Sequence, residues 1–245
     1  MADDVVVFVS DAHFGSGPEE AERRRSFSAF LASLHGIDRL VVAGDLFQFW
    51  FDLGRTIPQS YFDVLAALHD LRRSGTRIDY LAGNHDYWRG GFFQRELGVM
   101  THPGALELAV QGRRVLVLHG DGEGPGDHGY KLLRRLVRSP LTLGVVRLLH
   151  PDLLQGVARA AGLLSRAHTE HRPADRGRLD AVARAGFARG FDAVVLGHVH
   201  LQLHERIPGG ELIVVGDWLE LRSFVRLEGG VFSTGRFGLP SPAQP

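Results

Sequence analysis

The sequence predicts an α/β fold in which buried strands alternate with helices. Three observations carry this prediction. Short apolar runs rich in β-branched residues recur along the chain, segments with helix start and stop signals separate them, and the apolar runs lack the polar alternation of half-exposed strands. With 245 residues and a hydrophobic fraction of 44%, the chain is suited to a single domain over 1–245 that carries an inserted segment.

The first half of the chain predicts three strands with a helix after each of the first two. Residues 4–9, "DVVVFV", predict a buried strand, and 18–34 predict a helix with acidic residues in its first turn. Strands follow at 39–44 and 77–83, and the helix between them, at 58–75, begins with Pro and ends with Gly. This order is typical of sheets that helices cover.

The second half predicts mostly strands. Residues 105–120 predict two strands around a Gln-Gly turn, and 175–190 predict a helix closed by Gly. A buried strand follows at 192–200, and 201–232 predict three or four short strands with Gly turns.

The segment between the strands of 105–120 and the helix of 175–190 has a different composition. Residues 127–168 contain only helix-like text, and between 129 and 168 they carry seven cations and one acid, a local charge of about +6. We therefore predict a helical insertion at about 125–170 with a basic and apolar surface.

The overall composition excludes several classes of protein. Lys plus Arg and Asp plus Glu each number 28, so no overall basic field points to nucleic acid. The absence of cysteine excludes disulfides and thiolate metal ligands, and it fits a reducing compartment. No basic secretory start and no run of about 18 apolar residues is present, so we expect a cytoplasmic protein.

Polar residues recur where the predicted strands end. Ligands of open α/β sheets gather at the carboxyl ends of the strands, so these residues are expected to converge on one place. They are Asp11, His13, Asp45, Asn84, His85, Asp86, His119, His198 and His200.

The residue types predict a metal site. Oxygen and imidazole ligands without sulfur suit Mn, Fe or Zn. His198 and His200, one residue apart in an extended segment, would lie on the same side and bind one ion, and so would Asp11 and His13. The Asp45 carboxylate is the natural bridge between two ions, and such a pair can activate water for displacement at phosphorus.

The ordered set "D-x-H", "GD", "GNHD", "H" and "GH-x-H" resembles that of the calcineurin-like metallophosphoesterases. The resemblance implies a four-layer α/β/β/α sandwich of two mixed sheets, with the helical insertion as a cap. It also implies two divalent metal ions, with Mn as first choice and Fe or Zn as alternatives. The implied metal ligands are Asp11, His13, Asp45, Asn84, His119, His198 and His200.

His85 corresponds to the catalytic histidine of that family. We expect it to face the substrate, to stabilise developing charge and to protonate the leaving oxygen. Asp86, the second candidate catalytic residue, would either orient His85 or only shape the turn.

Four stretches resemble one branch of the family, which cleaves the pyrophosphate of UDP-2,3-diacylglucosamine in lipid A biosynthesis. They are "GDLFQFW" (44–50), "HGDGEGPGDHGYKLLRRLVRSP" (119–140), "GHVHLQLHE" (197–205) and "VVGDW" (214–218). The resemblance implies a lipid-linked UDP-sugar as substrate and a cap that holds its acyl chains. The basic surface of the insertion is either a solvated face or a surface for peripheral contact with the anionic cytoplasmic face of an inner membrane. We expect no nucleic acid and no obligate protein partner. The candidate substrate residues are Asp127, Tyr130, Arg134, Ser165 and Arg166.

Other functions remain open at this point. The best-known members of that branch carry Arg where His85 stands, which leaves another nucleotide or lipid pyrophosphate as an alternative substrate. A general phosphodiesterase or phosphatase would need no apolar cap, and its activity would survive cap deletion. A nuclease would lose activity steeply with salt. A non-catalytic scaffold on this fold would be expected to lack metal ligands, and none is missing.

Overall fold

The computed structural model describes residues 4–17, 20–51, 56–87, 91–122, 139, 156 and 175–238. Most of the predicted insertion at about 125–170 therefore lies outside the described residues. So do the five candidate substrate residues, Asp127, Tyr130, Arg134, Ser165 and Arg166.

A six-stranded mixed sheet contains the first strand of the chain at its centre. Its strands are β1 (Val6–Val9), β2 (Arg39–Val42), β4 (Arg77–Leu81), β6 (Met100–His102), β12 (Ser223–Glu228) and β13 (Val231–Arg236). The order across the sheet is β13-β12-β1-β2-β4-β6. β1 pairs in parallel with β2 and antiparallel with β12, so the carboxyl ends of β1, β2 and β4 lie along one edge.

A second mixed sheet has five strands. They are β7 (Leu106–Val110), β8 (Arg113–Leu118), β9 (Ala193–Leu196), β10 (Gln202–Ile207) and β11 (Gly210–Val215), in the order β10-β11-β9-β8-β7. β8, β9 and β11 are mutually parallel. The predicted Gln-Gly turn is confirmed: Gln111 and Gly112 join β7 to β8 with positive φ, which a two-residue hairpin turn favours.

Helices cover the outer faces of both sheets. They are α1 (Ala21–Ser33), a 3₁₀ turn (Gln59–Tyr61), α2 (Phe62–Arg73), α3 (Phe92–Leu97) and α4 (Arg176–Ala188). A further pair of two-residue strands, β3 (Trp50–Phe51) and β5 (Asp86–Tyr87), forms a small parallel sheet. In the part of the chain that the structure describes, no helix has the length and apolar character needed to cross a bilayer.

Three apolar cores hold these layers together. β1 contributes to two of them: Val7 and Val9 pack with α1 and α2, whereas Val6 and Phe8 pack between the two sheets. Val194 of β9 packs with α4 in the third core. Because both faces of β1 are buried, its apolar run is continuous, and each such side chain contributes roughly 1.5–3 kcal/mol of burial free energy. The architecture is the expected four-layer α/β/β/α sandwich.

The predicted strands are shorter than their sequence patterns. Strands predicted at 39–44, 77–83 and 192–200 end at Val42, Leu81 and Leu196. The Gly and polar residues that follow leave the sheet and form the loops at its carboxyl edge. The sequence analysis missed α3 and β6, because each is too short to show a periodic pattern.

Candidate metal and catalytic site

The loops after β1, β2, β4, β8 and β9 converge at the carboxyl edge. The backbone N–H of Asp11 donates to the Gly44 carbonyl at 3.1 Å, and that of His13 donates to the Asp45 carbonyl at 2.9 Å. Among the residues that the structure describes, six of the seven predicted ligands, together with His85, form three groups, and within each group the ligand atoms lie within 4.8 Å of one another. We name them the first group (Asp11, His13, His200), the second group (Asp45, His119, His198) and the middle group (His13, Asp45, His85).

Several of these residues have a left-handed backbone. Asp11, His13, Asp45, His198 and His200 have φ values of 53°, 45°, 54°, 69° and 51°. A non-glycine residue in this region costs on the order of 1–3 kcal/mol and persists only where the surroundings enforce it. The concentration of such residues in one place is typical of a functional site.

The geometry of the "GHVH" pair corrects the sequence-based expectation. His198 and His200 were expected to share one face of an extended segment and to bind one ion. Their left-handed backbone instead directs His198 to the second group and His200 to the first. The alternation rule fails here because it applies only to extended backbone.

The two oxygens of the Asp11 carboxylate differ, because one accepts hydrogen bonds and the other accepts none. Its Oδ2 accepts hydrogen bonds from the Ser10 hydroxyl and from the backbone N–H of His198, the latter at 2.7 Å. Its Oδ1 is buried without a hydrogen-bond partner and lies 3.6 Å from His13 Nε2 and 3.5 Å from His200 Nε2. Burial alone would raise the pKa of this carboxyl, but the adjacent imidazoles outweigh burial and hold the pKa well below its ordinary value.

This arrangement fits a divalent cation. A buried anionic oxygen without a hydrogen bond is costly unless a positive charge compensates it. The Nε2 atoms of His13 and His200 lie 3.2 Å apart and face the same space as Asp11 Oδ1. The first group therefore offers one oxygen and two nitrogen ligands to a single point, a donor set that suits Mn, Fe or Zn.

Asp45 belongs to the second group and also faces His13 of the first group. Its Oδ2 is 3.3 Å from His119 Nε2 and 3.8 Å from His13 Nε2. Its Oδ1 accepts the backbone N–H of His85 at 2.9 Å, which fixes the carboxylate plane. One Asp45 oxygen therefore lies near an imidazole nitrogen of each group.

The second group is preorganised by a backbone carbonyl. His119 Nδ1 donates to the Ala43 carbonyl at 2.7 Å, so Nε2 faces Asp45 and lies 3.1 Å from Asn84 Oδ1. Burial would lower the pKa of His119, but the Asp45 carboxylate raises it to about 10. The carboxylates therefore strongly favour positive charge at this point.

His85 is held by the small sheet of β3 and β5. Its Nδ1 donates to the Gln48 carbonyl at 2.6 Å, and its own carbonyl accepts the backbone N–H of Trp50 at 3.0 Å. The ring packs edge-on against His13, with centroids 4.7 Å apart. Since Nδ1 donates to the Gln48 carbonyl, Nε2 is the ring atom that His85 offers to the middle group.

Asp86 does not orient the His85 ring, contrary to one of the two expectations. Its Oδ2 accepts the backbone N–H groups of Asp45 at 3.0 Å and Gly83 at 2.9 Å, and its Oδ1 accepts the Tyr80 hydroxyl at 2.7 Å. Burial, with a further contribution from the Asp45 carboxylate, raises the pKa of Asp86 to about 6. Asp86 therefore braces the loops that carry Asp45 and Asn84, and its hydrogen bonds go to these groups and not to the His85 ring.

All nine sequence-predicted residues from Asp11 to His200 lie at this edge of the sandwich. Sequence reasoning missed two residues that position them. Ser10 donates to Asp11, and its only sequence signal was its place beside Asp11. Gln48 acts through its backbone carbonyl, which every residue carries, so no sequence signal was available.

Gly83→Ala is expected to damage the site while leaving the fold largely intact. A Cβ at this position would lie 2.1 Å from Asp45 Oδ1, so the Asp45 carboxylate would have to move. Overpacking of this kind typically costs about 1–3 kcal/mol of stability, and a shift of about 1 Å in a reacting group can cost ~10²-fold in rate. Thermal melting and metal-dependent hydrolysis check both effects.

Gly104→Ala is the matched control for this prediction, because a Cβ there meets nothing within 4 Å. It should leave melting and hydrolysis unchanged. Wild-type hydrolysis by Gly83→Ala would contradict the tight approach of this glycine to Asp45.

Comparison with known proteins gives consistent matches along the chain. The calcineurin-like phosphoesterase pattern matches residues 5–202. A UDP-2,3-diacylglucosamine hydrolase of Porphyromonas gingivalis is 27% identical over 248 residues, covering 91% of this chain and 94% of that protein. Hydrolases of the same name from Pseudomonas syringae pv. tomato (33% identity, 87% and 88% covered) and Ectopseudomonas mendocina (30% identity, 96% and 99% covered) also match. The similarity thus extends over most of each chain.

Proposed function

The chain belongs to the calcineurin-like phosphoesterase family and is a metal-dependent hydrolase, and from this premise we propose that it cleaves the pyrophosphate of UDP-2,3-diacylglucosamine to UMP and 2,3-diacylglucosamine 1-phosphate. The names of the relatives support this substrate. The observation that carries the chemistry is the single Asp45 oxygen that lies 3.3 Å from His119 Nε2 of the second group and 3.8 Å from His13 Nε2 of the first group.

We propose that two ions bind here, with Mn as first choice and Fe or Zn as alternatives. Asp11, His13 and His200 would hold one ion, Asn84, His119 and His198 would hold the other, and Asp45 would bridge them. When bound, such a pair supplies an activated water and neutralises charge at the phosphorus.

His85 is proposed to supply the proton. Because Nδ1 donates to the Gln48 carbonyl, the second proton of an imidazolium resides on Nε2, the atom that faces the site. From there it can stabilise the phosphoryl oxygens and protonate the departing group. The hydrogen bond from the His85 backbone to Asp45 keeps this proton donor in register with the bridging carboxylate.

The insertion is proposed to recognise the lipid and nucleotide parts of the substrate. Its composition supports this role, since apolar residues suit acyl chains and its local charge of about +6 suits a diphosphate. Within it we propose Asp127, Tyr130, Arg134, Ser165 and Arg166 as substrate-binding residues. The same basic surface would suit peripheral contact with the anionic cytoplasmic face of a membrane.

His85 also favours a second candidate function. The best-known branch of these hydrolases carries Arg where His85 stands, so this chain presents a different side chain to the leaving group. Cleavage of another nucleotide or lipid pyrophosphate by the same residues is the alternative.

Hydrolysis of UDP-2,3-diacylglucosamine by the purified protein tests the proposal. We expect UMP release with Mn²⁺, loss of release after chelation, and recovery when Mn²⁺ is restored. Simple aryl phosphate esters, assayed in parallel, should be turned over poorly. Turnover of the aryl esters with no UMP release would retain the metal site and reject the substrate.

A further inference from the structure

We propose that Arg23 of α1 is a positioning residue that sets the metal affinity of the first group. Its guanidinium joins the loop carrying Asp11 and His13 to the loop that follows β11. The inference rests on the proposed function only in taking the first group as a metal site.

The loop of Asp11 and His13 is held by hydrogen bonds to other segments of the chain. The two residues flank Ala12, and both have left-handed φ values, 53° and 45°. Their N–H groups donate to the Gly44 and Asp45 carbonyls. The carbonyls of the same loop point the other way: that of Asp11 accepts the backbone N–H of Trp218 at 3.1 Å, and that of Ala12 accepts Arg23 Nη1 at 3.1 Å.

Arg23 is itself fixed in place. The Nη1 atom that binds the Ala12 carbonyl also lies 3.5 Å from the Trp218 carbonyl, so one atom spans both loops. Nη2 pairs with the Glu20 carboxylate, and the guanidinium lies over the Phe14 ring at 5.8 Å. The side chain is 14% exposed. A planar, permanently charged guanidinium suits donation to several acceptors at once better than an ammonium does.

The contacts of Arg23 are expected to position the first group in particular. Asp11 and His13 are two of the three members of the first group, and Ala12 is the peptide between them. Release of the Ala12 carbonyl would allow this strained peptide to rotate and would separate Asp11 Oδ1 from His13 Nε2. The second group contains neither residue, so its affinity should be retained. Selective loss of one ion is the signature of this role, since general loosening of the fold would weaken both.

Arg222 provides a matched control. It also ties α1 to the chain after β11, through Glu22 at 3.0 Å and Ser26 at 3.2 Å. Like Arg23, it links α1 to the chain after β11, but it bonds side chains of α1 and involves neither the Ala12 nor the Trp218 carbonyl.

The experiment is Mn²⁺ binding by Arg23→Met, Arg23→Lys, Arg222→Met and the wild type, with no substrate present. Calorimetry gives the affinity of each ion, and melting in chelator gives the stability of the metal-free fold. For Arg23→Met we expect one ion weakened by about 10–100-fold, as is typical when a residue behind a metal ligand is removed, and the other ion unchanged. Arg23→Lys should recover part of the loss, and Arg222→Met should bind as the wild type does.

Unchanged binding of both ions by Arg23→Met, equal weakening of both ions, or the same loss in Arg222→Met would overturn the inference. If Arg23→Met fails to fold, Arg23→Lys decides: wild-type affinity for both ions then overturns it. The substrate proposal is tested separately. A wild type that binds Mn²⁺ but releases no UMP would reject that substrate and would not affect the proposed role of Arg23.

Discussion

Asp45→Asn is expected to reduce metal-dependent hydrolysis by ~10³-fold or more and to lower the bound metal, a larger loss than the 10–100-fold typical of residues that only support a ligand. The asparagine keeps the shape of the side chain. Its oxygen is expected to accept the His85 backbone N–H, as Asp45 Oδ1 does now. The amide NH₂ then occupies the position of Oδ2, between His119 and His13, and directs donor hydrogens where a cation would bind.

Metal analysis and UMP release measured on the same preparation check this result. Asp63→Asn, an exposed acid in the first turn of α2, is the control and should match the wild type. An Asp45→Asn protein that binds two ions and turns over normally would exclude a bridging role for this carboxylate.

His85→Asn is expected to lower kcat by about 10²–10⁴-fold, the usual contribution of a positioned proton donor, while two ions remain bound. The asparagine amide can reproduce the Nδ1 hydrogen bond to the Gln48 carbonyl, so the small sheet of β3 and β5 should persist. It has no atom in the position of Nε2. The loss should be smaller for aryl esters, whose leaving groups need less protonation.

Metal content separates the two possible roles of His85. Loss of an ion in His85→Asn would make His85 a ligand of the middle group, and normal turnover with both ions bound would remove it from the chemistry. His35→Asn, at an exposed position just after α1, should change neither quantity.

The layers of the fold were predictable because burial leaves a pattern in sequence. β1 buries both faces, so "VVFV" could not be mistaken for a half-exposed strand. The site was predictable for a related reason: carboxylates and imidazoles that follow buried strands share one edge of the sheet. Short elements such as α3 and β6 escaped prediction because they lack a full period.

Roles that depend on backbone atoms or on loop conformation were not predictable. The partner of His85 is a carbonyl of Gln48, and the side chain beside His85 in sequence, Asp86, serves other atoms. His198 and His200 belong to different groups because both have left-handed backbone, and the residue pattern "GHVH" does not predict that conformation. Nothing in the sequence distinguishes Arg23 from its neighbours Arg24 and Arg25, because its partners are two backbone carbonyls outside its own helix.

The left-handed backbone at Asp11, His13, Asp45, His198 and His200 places stability and activity in opposition. Glycine at any of these positions would remove a Cβ clash of roughly 1 kcal/mol, yet it would delete a side chain of the proposed metal site. A variant library of this chain screened only for heat resistance should therefore accumulate glycine there and lose its chemistry. A library screened for turnover should retain the non-glycine residues despite their strained backbone. The side chains at these five positions would then reveal which selection a library had undergone.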